Sequence, residues 1–154
     1  MRLLILSSRT GGGHEMRAQA LSEFCMSLNI RYKIVRPLEE VGGLYLLGTN
    51  IYNWIQRFYP RLHSLYFNFL ENASLHSSSN KIIGKKSFQL EVKNFKPDAV
   101  ISVHAHLNHG YFDIINEIYP VSPPKFMIYS GELDDGIGFS KHWVNANADL
   151  FCGP

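Results

Sequence analysis

Gly11-Gly12-Gly13-His14 stands between a short apolar run, Leu3 to Ser7, and a stretch with helical periodicity. Glycine tolerates positive φ and lets a ligand come close to the backbone. A helix that starts here presents free N–H groups and the positive end of its dipole, a combination suited to phosphate. The spacing is not GxGxxG, and no GK[ST] follows, so neither a dinucleotide fingerprint nor a Walker A loop is present. A tight turn without a ligand is the competing reading. The dipole would also lower the pKa of His14, keeping the imidazole neutral at pH 7 and able to accept a proton.

His104-Ala105-His106-Leu107-Asn108-His109 follows a second apolar run. It approaches the HxHxDH pattern of metallo-β-lactamase-fold hydrolases, with Asn108 where the aspartate belongs. Histidines this close could hold zinc in a hydrolase that uses His104, His106 and His109. Against that stand the missing aspartate, a single later histidine (His142) and an N-terminal half that does not read as a β-sandwich. The alternative is a polar cluster at a strand end, lining a cleft. Ser130-Gly131-Glu132-Leu133-Asp134-Asp135-Gly136 follows a third apolar run. Its carboxylates could act as general bases, bind hydroxyls or hold Mg²⁺, or simply form a solvated loop. Trp143 either stacks on a sugar or apolar face or caps the core.

The elements that must position these residues alternate regularly. Leu3 to Ser7, the glycines, and a helix with Ala18, Leu21, Cys25 and Leu28 on one face lead to a strand at Arg31 to Arg36. That order is a βαβ unit with a right-handed crossover. A helix is expected over Lys81 to Asn94, a strand over Asp98 to Val103 and a helix over Leu107 to Tyr119, with Phe112, Ile115 and Tyr119 on one side. Strands at Lys125 to Tyr129 and Ala148 to Cys152 complete a single α/β domain with a Rossmann-like, doubly wound, mostly parallel sheet. Ligands of such sheets sit at the carboxyl ends of the strands, where the glycine turn and the loops after Val103 and Tyr129 fall.

The middle of the chain is aromatic. Pro60 divides it into two short helices, about 50–59 and 61–71, which carry Trp54, Phe58, Leu65 and Phe69 beside Arg57 and Arg61. Rings with neighbouring arginines suit an anionic membrane surface; a core helix pair is the alternative. Residues 74–80 are Ser-rich and turn-like.

The 154 residues carry a net charge of +2, which hides an asymmetry. Residues 1–96 hold 13 Lys/Arg against 6 Asp/Glu, and residues 97–154 hold 2 against 7. A basic, aromatic half beside an acidic half points to an anionic partner for one face, with chance clustering as the alternative. The basic residues form no dense stripe, so no nucleic-acid partner is expected. Cys25 and Cys152 lie far apart between apolar residues and read as small hydrophobes in a reducing compartment. Four apolar residues after Arg2 are too few for a signal-peptide core, and no window is long enough to span a bilayer.

Ser8-Arg9-Thr10-Gly11-Gly12-Gly13-His14, Lys96-Pro97-Asp98, and Ser102-Val103-His104 with His109 five residues on resemble the N-terminal domain of monogalactosyldiacylglycerol synthases and processive diacylglycerol glucosyltransferases, MurG-like members of the GT-B group. The resemblance implies the acceptor-binding half of an inverting hexosyltransferase of glycolipid biosynthesis. Its donor would be a nucleotide sugar, UDP-linked, with no metal or other cofactor, and its acceptor a diacylglycerol-type lipid. It implies that His14 is the catalytic base and that Gly11, Gly12 and Gly13 face the donor phosphates. His104, His109 and Trp143 would bind the acceptor, and Trp54, Arg57, Phe58 and Arg61 would contact the membrane. The protein would then be cytoplasmic and peripheral. A C-terminal nucleotide-sugar-binding domain would be a separate partner. A non-catalytic lipid- or phosphate-binding module is the other class consistent with the same residues. The sequence departs from the family pattern at Arg9, at Glu15-Met16-Arg17 and at Gly131-Glu132, where the family has a Thr-Asp pair.

Overall fold

The computed structural model describes residues 1–10, 12–40, 43–59, 61–62, 65, 68, 72, 77–132, 139–144 and 147–154. Five strands, β1 (Arg2–Leu6), β2 (Arg31–Val35), β3 (Ala99–Ser102), β4 (Lys125–Tyr129) and β5 (Leu150–Cys152), form one sheet in the order β2-β1-β3-β4-β5. Every neighbouring pair is parallel. The fold is therefore the expected α/β domain with a Rossmann-like sheet.

A parallel sheet covered on both faces needs strands that are apolar at every position. β1 meets this: Leu3 and Ile5 point to one face and Leu4 and Leu6 to the other, all buried. On the first face they meet Ala18 and Cys25 of α1 (Gly13–Ser27), with Ile101 and Val103. On the second they meet Phe88 and Val92 of α4 (Lys85–Phe95), Tyr111, Ile114 and Ile115 of α5 (His109–Ile118), and Trp143. Two further helices, α2 (Pro37–Glu40) and α3 (Gly43–Phe58), follow β2.

Connections from β1 run to β2 on one side, while the chain later returns to β3 on the other. The strand order thus reverses between β1 and β3, and the crevice outside their carboxyl ends is where such sheets bind ligands. Ser7 and Val103 extend both strands into this crevice, through Ser7 N–H to the Val35 carbonyl (3.0 Å) and Val103 N–H to the Leu6 carbonyl (3.0 Å).

Several elements differ from the sequence expectation for identifiable reasons. Leu28 is not on the buried face of α1, because the helix ends at Ser27 and Leu28 caps it, 54% exposed. The helix expected from Lys81 begins at Lys85, since Gly84 takes the left-handed conformation (φ 78) and Ser79–Lys81 forms a 3₁₀ turn before it. Likewise α5 starts at His109, after a 3₁₀ turn at Ala105–Leu107, and its buried residues are Gly110, Tyr111, Ile114 and Ile115. The first aromatic helix begins at Gly43. Of the stretch expected as a second aromatic helix, residues 61, 62, 65 and 68 are described and helical; Phe69 and residues 73–76 lie outside the described residues.

Candidate functional site

The crevice at the β1–β3 switch point is built around His14. α1 opens directly after β1, with Gly12 as its N-terminal cap at φ 76, a conformation natural to glycine. A Cβ at Gly12 or Gly13 would meet nothing within 4 Å, so this backbone stands open. Gly11 lies outside the described residues. His14 is carried one residue into the helix and reaches across to the end of β3.

Nδ1 of His14 lies 2.8 Å from the Val103 carbonyl oxygen and 2.7 Å from Nη2 of Arg17. One nitrogen cannot satisfy both. The carbonyl oxygen can only accept, whereas the guanidinium has other N–H groups to offer elsewhere. We therefore assign the hydrogen to Nδ1, donated to Val103, which leaves the lone pair on Nε2. Nε2 has no hydrogen-bond partner among the described residues. Burial pushes the His14 pKa down to about 4; the Val103 carbonyl opposes this, and the nearby Arg17 cation adds to it. The imidazole is thereby held neutral at pH 7, with burial as the chief cause.

Arg17 packs against Gly131. Its guanidinium lies over Gly131, where any Cβ would fall far inside van der Waals contact with Nη1. Arg17 and Gly131 are thus matched across the crevice. Nε of Arg17 is buried without a partner.

His104 stacks beside His14, ring centroids 4.3 Å apart and tilted by 52°. Its hydrogen-bond directions follow from chemistry. The His106 N–H can only donate, so His104 Nδ1 accepts (3.2 Å) and the hydrogen of the neutral ring sits on Nε2. Nε2–H then donates to Thr10 Oγ1 (3.0 Å), whose hydroxyl donates to Ser8 Oγ (2.8 Å), whose hydroxyl donates to Glu39 Oε1 (2.9 Å). The Arg9 N–H also donates to Glu39 Oε1, at 2.6 Å. Glu39 on α2 thereby ties the glycine turn to the end of β3. Sequence reasoning missed Glu39, Ser8 and Thr10 in this role. The available signal was Glu39-Glu40 placed straight after β2 in an otherwise basic half.

The other expected site residues fall differently. His104 is buried, and both its ring nitrogens are engaged within the fold, so it braces the turn rather than offering a nitrogen to an acceptor. His109 is partly buried, its Nε2 wholly so and without a partner. Its pKa is lowered by burial, against the opposing Asp113 carboxylate and His142 carbonyl. Trp143 is not a stacking platform: its ring is fully buried in the core, and its indole N–H donates to Glu132 (2.6 Å). Glu132 is near enough to α3 to raise the pKa of Tyr52, after the larger effect of burial. Asp134 and Asp135 lie outside the described residues. Rings of His14, His104, His106, His142 and His109 touch in succession at 4.3 to 5.6 Å. Among the described residues no group of three His, Cys, Asp or Glu side chains converges on a metal-sized position.

The aromatic helix leaves several apolar residues exposed. Leu47, Trp54 and Phe58 are each more than half exposed. Arg57 lies over the Phe58 ring at 5.4 Å, and Arg61 is exposed. No helix among the described residues is long and apolar enough to cross a membrane.

The fold and the crevice define a Rossmann-like α/β domain with a half-buried histidine at its switch point. No protein-family model, curated protein or solved structure matches the chain.

Proposed function

We propose that this domain is the acceptor-binding half of an inverting hexosyltransferase that glycosylates a diacylglycerol-type lipid. The observation that carries the reading is His14. A neutral imidazole, fixed through Nδ1 to the Val103 carbonyl, keeps the Nε2 lone pair at the carboxyl end of a parallel sheet and beside an open glycine turn. In this reading Nε2 takes the proton of the acceptor hydroxyl as that oxygen attacks the anomeric carbon. Gly12, Gly13 and the otherwise unanswered Arg17 face the diphosphate leaving group, whose charge grows as the sugar bond breaks. The exposed Trp54 and Phe58 with Arg57 and Arg61 suit a peripheral contact with an anionic bilayer from which the lipid is drawn. The resemblance assigns donor binding to a second domain.

The test is glycolipid formation from a radiolabelled UDP-hexose and diacylglycerol in vesicles, using the protein together with its donor-binding domain. His14→Ala should lower the rate by about 10²–10⁴, the usual contribution of a positioned base. An unchanged rate would remove His14 from the mechanism. Product formed by neither protein, with vesicle binding intact in both, would favour a non-catalytic lipid-binding module.

A further inference from the structure

The crevice accounts for only part of the positive charge. At the opposite, amino edge of the sheet, Arg2 and Arg31 are register partners on β1 and β2. Lys93 and Lys96 stand close by at the end of α4. Arg2, Lys93 and Lys96, with Pro97, Ile118 and Tyr119, line a cleft of about 490 Å³. We propose that this cleft binds the phosphate group of a small soluble ligand that also carries an apolar or planar portion.

Charge makes the first argument. Four cations outside the cleft pair with carboxylates: Arg36 with Glu15, Lys33 with Glu91, Lys85 with Glu117 and Lys125 with Asp149. Of the cleft's three side-chain cations only Arg2 has such a partner among the described residues, Asp98 at 3.1 Å, a carboxylate that also lies 4.0 Å from the N-terminal amine. Arg31 lies over the Phe95 ring, at 6.0 Å from its centroid. Lys93 and Lys96 have no side-chain ion pair or hydrogen bond among the described residues. The C-terminal ends of α4 and α5 also point here, each worth about −0.5 of a charge. With Asp98 they offset about two of the five cations, the N-terminal amine included. The remaining positive surplus suits a phosphate monoester, which carries about −1.5 to −2 at pH 7.

The backbone makes the second. Lys96 adopts φ 53, ψ 65 where it closes α4 by donating its N–H to the Val92 carbonyl (2.8 Å). Helices usually place glycine at such a position, because a Cβ there is strained. Lys96 keeps that conformation with its side chain exposed and unpaired among the described residues, strain of the kind found at binding sites. The remaining walls are apolar. The Tyr119 ring is held by its hydroxyl, which donates to the Val92 carbonyl (3.4 Å). The volume falls within the range of small-molecule sites, about 300–1,000 Å³.

The ligand is soluble rather than a lipid headgroup. Tyr52 of α3 lies near Glu132, which follows the carboxyl end of β4. A bilayer lying on α3 would therefore leave the amino edge facing away.

The test is an NMR titration of the protein with inorganic phosphate, with adenosine monophosphate, and with phosphatidylcholine vesicles with and without phosphatidylglycerol. Both soluble probes should give saturable shifts at Lys93, Lys96 and Tyr119, the nucleotide at lower concentration. Lys93→Gln and Lys96→Gly should each raise the dissociation constant about tenfold. Lys96→Gly should also raise the melting temperature by about 2–4 °C, since glycine relieves the strain, so weaker binding in that variant could not come from unfolding. Absence of saturable shifts, affinity unchanged from the parent in both variants, or a response confined to phosphatidylglycerol vesicles would each overturn the proposal.

Discussion

His14 shows how one nitrogen atom can carry the logic of a site. Its Nδ1 faces a carbonyl that wants a hydrogen and a guanidinium that wants a lone pair. Giving the hydrogen to Val103 puts a cation beside an N–H, which disfavours any further protonation of the ring. Arg17 is then a positioning residue whose charge helps hold the pKa down at about 4. Replacing Arg17 with Met should raise the His14 pKa, read directly from a histidine NMR titration. Gly131→Ala should move it the same way, because the new methyl would displace the same guanidinium. If both variants titrate like the parent, Arg17 has no electrostatic hold on His14. The residue types at this site were legible in the sequence, His14 and His104 both among them. Their partnerships were not, because Arg17–Gly131 and the Ser8–Thr10–Glu39 chain join residues far apart in sequence through side-chain geometry alone.

At the scale of elements, the strands were the most legible. Lys125–Tyr129 falls where expected, and β1 and β2 differ only at their ends: β1, buried on both faces, writes itself as an unbroken apolar run, while the edge strand β2 alternates basic and apolar residues. Helix starts were less so, since they depend on local turns. His109 begins α5 only because Ala105–Leu107 first makes a 3₁₀ turn. Of the two readings open for Trp143, the core one holds: among polar neighbours in sequence, Glu132 supplies the hydrogen bond the indole needs to be fully buried. Gly110 of α5 is a further constraint that periodicity does not reveal. A Cβ there would lie 2.7 Å from Ile82 Cδ1 and 2.8 Å from the Ser78 backbone carbonyl. Alanine would gain about 1 kcal/mol in helix propensity. Forcing a methyl against backbone costs about 1–3 kcal/mol, so the clash should win. Gly110→Ala should lower the urea midpoint without changing the slope; a raised midpoint would show that the Ser78 turn yields freely.

For the whole molecule, the same half-buried imidazole couples function to acid stability. In the unfolded chain His14 regains its ordinary pKa of 6.5, while in the fold it holds out to about 4. Below pH 6.5 the unfolded state therefore binds a proton that the folded state refuses, and stability falls as pH drops towards 4, after which this loss levels off. The slope is about 1.4 kcal/mol per pH unit for one proton, so from pH 6.5 to 5 the loss approaches about 2 kcal/mol. His109, also lowered by burial, acts in the same direction and window. The carboxylates of Glu15 and Glu117, lowered chiefly by their hydrogen bonds to Arg36 and Lys85, and those of Asp98 and Asp149, lowered chiefly by Arg2 and Lys125, behave differently. Their contribution is complete above the ordinary carboxylate range and is lost only as pH falls through their lowered values. Acid unfolding should thus proceed in two windows, a histidine one above about pH 4 and a carboxylate one below it. His14→Gln removes the larger cause in the first window and leaves the second. Chemical denaturation at pH 7, 5.5 and 4.5 should show the parent losing stability across this range and the variant losing at least about 1 kcal/mol less. Parallel losses in the two proteins would mean that His14 titrates in the fold as it does in the unfolded chain, and the base assigned to the crevice would lose its physical ground.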